Sequence, residues 1–133
     1  RREEYEHDIP FLNNSKRVYA YIRDIIQDIP HEEFWVIYHI TGCKVVDTQL
    51  IGRGGNDFTL TDESIIHRYA LQCKANSIIL IHNHPTGILQ PSQADKILSN
   101  NIVDATKIMD IRVNDHIIFT DTSYYSFTDE GLL

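Results

Sequence analysis

From Ser15 onward, apolar residues recur at three- and four-residue steps: Val18, Tyr21, Ile22, Ile25, Ile26 and Ile29 form one stripe. That spacing predicts an amphipathic helix, with Ser15 suited to the N-cap and Pro30 ending it. "EEFWVIYHI" then reads as a strand, "TGCK" as a turn and "VVDTQLIG" as a second strand, together a hairpin. "TDESIIHRYALQCKANS" returns to helical spacing, with Thr61 or Asp62 at the cap and Ile65, Ile66, Tyr69, Ala70 and Cys73 inward. "SIILI" is apolar throughout, as a strand covered on both faces should be. A helix capped by Ser92 follows, with Ile97, Leu98, Ile102, Ala105 and Met109 as its stripe, and "IRVNDHIIFT" and "YYSFT" read as two closing strands. The order helix, two strands, helix, strand, helix, two strands implies an α/β domain, a mixed sheet flanked by helices in about three layers. Residues 1–14 are charged and irregular and read as a flexible lead-in, leaving 15–133 as one domain.

Composition narrows the function classes. The net charge of −7 disfavours direct nucleic-acid binding by phosphate neutralisation. No stretch approaches the roughly 20 apolar residues that span a bilayer, so no membrane role is expected. Two cysteines without a CxxC pair suit a reduced, cytoplasmic protein better than a disulfide framework. The chain opens on Arg1 rather than Met, which reads as a trimmed or mature fragment and leaves room for an upstream domain. The glycines of "GRGGND" mark a turn, since the GxxxxGK[ST] phosphate loop is absent. This loop (52–57) and residues 86–91 are expected to frame a cleft.

The chemistry concentrates in "LIHNHPTGILQPSQAD", residues 80–95. In extended backbone, residues two apart face the same side, so His82 and His84 direct two imidazoles toward one point. Pro85 holds His84 extended. Asp95 lies one turn into the helix that Ser92 caps and offers a carboxylate oxygen. Two histidines and an aspartate leave one position open on Zn²⁺, the arrangement of a catalytic site. Taken singly, each residue has a plainer explanation: a structural histidine, an N-cap serine, an acid at a helix N-terminus. The combination HxHP followed by SxxD is far more specific.

That combination resembles the RadC family of the JAB/MPN (JAMM) metalloprotease-like domains. "HNHPTG" and "PSQAD" match the family motif, and "DIRVNDHIIFT" and "YYSFTDEGLL" resemble its C-terminal signature. The resemblance spans roughly residues 15–133. It implies a JAB/MPN-like, cytidine-deaminase-like architecture, with zinc on His82, His84 and Asp95. Ser92 would stabilise the oxyanion, and a glutamate at the start of an early strand would be the general base. Two candidates open that strand, Glu32 and Glu33. The family's Glu-x-Phe pattern favours Glu32, and the other is expected to be a solvent-facing charge, since consecutive strand residues face opposite ways. "TDESI" departs from the family's HPRE-like stretch, with Ile65 at the glutamate position, and Thr86 stands where serine is common. Asp115 and His116 are candidates to stand behind the metal ligands and orient them.

The implied activity is zinc-dependent hydrolysis of peptide or isopeptide bonds, with a peptide or protein substrate. The alternative is a zinc-binding module associated with DNA repair or mobile elements and lacking hydrolase activity. A homo-oligomer is left open by the sequence.

Overall fold

A computed structural model describes residues 10–26, 29–54 and 62–133. Its elements are α1 (Ser15–Ile25), β1 (Glu33–Ile40), β2 (Lys44–Arg53), α2 (Glu63–Gln72), β3 (Ser77–Asn83), α3 (Gln93–Ile108), β4 (Arg112–Phe119) and β5 (Tyr124–Ser126). This is the order the hydrophobic pattern predicts. The strands form one five-stranded mixed sheet in the order β2-β1-β3-β4-β5. β1 and β2 make the expected antiparallel hairpin, and β3 and β4 are parallel neighbours. Parallel neighbours need a long crossover, which α3 supplies.

Each face of the sheet buries its own core. Phe34, Val36, Tyr38, Ile78 and Leu80 pack against Ile66 and Ala70 of α2 and Leu98 and Ile102 of α3. Ile37, Ile79, Ile81, Ile117 and Phe119 pack against Val18, Ile22 and Ile26 on the α1 side. The result is a three-layer α/β domain. All seven residues of β3 are buried, which accounts for its unbroken apolar run. That run delivers His82 and His84 to the end of the central strand.

Several local expectations are corrected. Residues 10–14 are docked rather than flexible: Leu12 is buried, its N–H donates to the Cys43 carbonyl, and Val45 N–H donates to Pro10. They shield the start of the β2 edge, which pairs with no other strand among the described residues. Residues 1–9 lie outside the described residues. The N-cap of α1 is Asn14, whose side chain accepts the Arg17 N–H. Ser15 is already helical, and its hydroxyl instead donates to Asp129. Ile25, Ile65 and Ile97 are exposed at the margins of stripes narrower than the spacing suggests. Asp62 caps α2. Residues 55–57 of the loop at 52–57 lie outside the described residues. Cys43 and Cys73 are free, and among the described residues no helix is long and apolar enough to cross a membrane.

Candidate metal centre

Ile78 and Leu80 face α2 and α3, and strand alternation places His82 on the same side. Its ring stacks with Phe34 at 6.2 Å. His84, two residues on, turns its ring to the same place, and the two Nε2 atoms stand 3.0 Å apart. Asp95 meets them from α3: its Oδ1 is 3.2 Å from His82 Nε2, and its Oδ2 is 3.4 Å from His84 Nε2. The donor atoms all lie within 4.8 Å of one another.

The helix cap aims Asp95. Ser92 Oγ accepts the Asp95 N–H at 3.0 Å, and Asp95 Oδ2 accepts the Ser92 N–H at 2.8 Å. This reciprocal capping box fixes the carboxylate at the start of α3 while leaving it facing the histidines. The expected cap, Ser92, and the expected ligand, Asp95, are thereby mechanically joined.

The electrostatics suit a cation. Burial alone would push the Asp95 carboxyl up, but hydrogen bonds from His82 and His84 hold it well below the ordinary range, so it is ionised. Burial pushes the His82 imidazole down and keeps it neutral. For His84, burial acts in the same sense, but Asp95 and the Ile88 carbonyl outweigh it and raise the value. His84 Nδ1 donates to Ile88 O at 2.6 Å, which reserves Nε2 for a ligand. Two imidazole nitrogens and one carboxylate oxygen, already convergent, fit a first-row divalent ion such as Zn²⁺. The Ile88 carbonyl is the functional group the sequence could not signal, because any residue supplies a carbonyl.

Glu32 and Glu33 diverge. Glu32 stands half-buried near the cluster, ahead of Phe34, which pairs with His82. Burial raises its carboxyl, with His84 opposing the shift and Asp95 adding to it. Those two influences place its charge within the field of the cluster. Glu33 is not the solvent-facing charge expected. It is 4% exposed, with Oε1 accepting from Trp35 Nε1 at 3.0 Å and Oε2 bonded to His31 and 3.2 Å from Arg53 Nε. Its N–H is held by Asn83 Oδ1.

Asp115 and His116 part in the same way. His116 Nε2 lies 2.9 Å from His82 Nδ1, directly behind that ring. Asp115 is not brought to the cluster. Its carboxylate accepts from Ser126 Oγ at 2.5 Å and from Thr128 N at 3.0 Å, tying β4 to the C-terminal turn. A cleft of about 560 Å³ also opens beside His84, between Ile26 and Pro30 on one side and Phe119 and Thr120 on the other.

The structure is a three-layer α/β domain with a His-His-Asp group that could hold a metal ion at the end of its central strand. Residues 12–132 match the family model described as RadC-like JAB domain, and the chain belongs to that family. It is 40% identical over 121 residues to a UPF0758 protein of Flavobacterium johnsoniae, covering 91% of this chain and 53% of that protein. It is 37% identical over 123 residues to one from Porphyromonas gingivalis, covering 92% and 54%. The chain thus spans about half the length of these curated relatives.

Proposed function

We propose that this domain is a Zn²⁺-dependent hydrolase of peptide or isopeptide bonds. One observation carries the reading: an ionised carboxylate and two oriented imidazoles converge within reach of the field of a half-buried glutamate. A bound Zn²⁺ would supply Lewis-acid activation of water and of the scissile carbonyl. His82, His84 and Asp95 would hold it.

The remaining work falls to the chain's own groups. Glu32 takes a proton from the attacking water and delivers it to the leaving amine, a role helped by a carboxyl pushed up by burial. Ser92 Oγ accepts from the Asp95 N–H and keeps its own hydrogen, which it donates to the carbonyl oxygen as negative charge develops there. A well-placed donor of this kind contributes about 3 kcal/mol.

The test is hydrolysis of peptide and isopeptide-linked substrates by zinc-loaded protein, before and after chelation. Turnover that is lost on chelation, restored by zinc and absent in Glu32→Gln while zinc stays bound is the expected result. Zinc-loaded protein inert toward both substrate classes, or an active Glu32→Gln, would overturn it.

A further inference from the structure

We infer that His116 is a positioning residue for the metal centre, holding His82 in the one tautomer that offers Nε2 to a cation. The inference rests on the metal reading proposed above. His82 and His116 are both fully buried, and His82 Nδ1 and His116 Nε2 share a single hydrogen across 2.9 Å. A cation at the cluster takes the lone pair of His82 Nε2, so the His82 hydrogen sits on Nδ1 and points at His116. His116 must then accept through Nε2, which places its own hydrogen on Nδ1. The opposite tautomer of His116 would set N–H against N–H.

The surroundings fix His116 in that place. Its ring stacks on Phe127 at 4.3 Å, and Phe34 presents an edge at 6.1 Å. Its backbone N–H donates to Asp115 Oδ1 at 2.7 Å, and its carbonyl accepts the Phe127 N–H at 3.0 Å. His116 Nδ1 has no hydrogen-bond partner among the described residues, so its ring is held by stacking and by the bond to His82. Its partnership with His82 therefore differs from that of His84 with the Ile88 carbonyl. A carbonyl always accepts, whereas an imidazole nitrogen accepts in only one tautomer. Metal occupancy at His82 is thus coupled to the hydrogen position on a ring behind it.

The experiment reads tautomers directly. Long-range ¹⁵N–¹H spectra of the labelled chain, with and without Zn²⁺, assign each imidazole as Nδ1–H or Nε2–H. The loaded protein should show both His82 and His116 as Nδ1–H. Chelator competition should show His116→Phe binding Zn²⁺ some 10–100-fold more weakly. His116→Gln, whose amide oxygen can accept near the Nε2 position, should recover most of that loss. Loaded His116 found as Nε2–H, or unchanged affinity in His116→Phe, overturns the inference. Should His116→Phe fail to fold, the wild-type spectra decide alone. A wild type that binds no Zn²⁺, with unmoved His84 signals, removes the metal reading and this inference together; zinc binding with an indifferent His116 removes the inference only.

Discussion

His84 Nδ1 and the Ile88 carbonyl oxygen stand 2.6 Å apart, across a turn in which Gly87 N–H donates back to the His84 carbonyl. The turn therefore orients the ring that faces Asp95. Gly87 has a φ of +85°, and a Cβ there would meet nothing within 4 Å, so an alanine suffers from its backbone conformation alone. Gly87→Ala should cost about 1 kcal/mol of stability in urea denaturation. It should also weaken Zn²⁺ binding by tilting the Ile88 carbonyl. Unchanged stability and affinity would show that the turn does not set the ligand.

Acid sensitivity should trace partly to His39. This ring is fully buried in β1, and burial pulls its pKa down to about 4 from an ordinary 6.5. Between those values the unfolded chain binds a proton that the folded chain does not, so folding stability falls as pH falls through the window. The slope reaches about 1.4 kcal/mol per pH unit, and the contribution levels off below about pH 4. Burial shifts His82 and His116 the same way, so the wild type alone does not isolate the effect. Stability measured at pH 4.5, 5.5 and 6.5 should fall less steeply in His39→Leu. Parallel curves would assign the acid sensitivity elsewhere.

Asp115 should matter for stability. Its buried carboxylate accepts from Ser126 Oγ, Thr128 N and His116 N, three donors from two segments. An amide has one acceptor oxygen, so Asp115→Asn keeps the two backbone N–H bonds only by turning its NH₂ to Ser126 Oγ, whose own hydrogen then loses its acceptor. The expected loss is about 2 kcal/mol by chemical denaturation. A loss near zero would mean that the C-terminal turn is held by the packing of Phe127 alone.

The same alternation that made the site legible also explains what was misread. His82 and His84 could be placed together because residues two apart share a face. Alternation alone gives Glu33 a solvent face, whereas an interior strand of a three-layer domain has protein on both sides. Glu33 turns away from the His-His-Asp group and into a polar pocket formed by Trp35, His31 and Arg53. Asp115 and His116 are consecutive in β4, so only one could stand behind His82, and a register shift between β3 and β4 hid which. At the start of α1, Asn14 and Ser15 are both good caps, and the hydroxyl of Ser15 is drawn away by Asp129, more than a hundred residues distant in sequence. Local pattern therefore yields the element order and the donor set, while contacts between distant segments decide the cap and the faces.

The paired glutamates permit a separation of chemistry from stability. Glu32 is half-buried with a carboxyl pushed up by burial, so at neutral pH its charge opposes folding. Removing that charge in Glu32→Gln should leave stability equal or slightly higher while abolishing hydrolysis. Glu33 holds Trp35, His31 and Arg53 from a buried position, although Arg53 itself is largely exposed and its share is screened. Glu33→Gln should cost about 2 kcal/mol and retain turnover wherever the protein is folded. Urea denaturation and hydrolysis assays on the two variants check both halves of the expectation. The reverse pattern, an inactive but stable Glu33→Gln beside an active and destabilised Glu32→Gln, would transfer the general base to Glu33 and require β1 to present its other face to the metal.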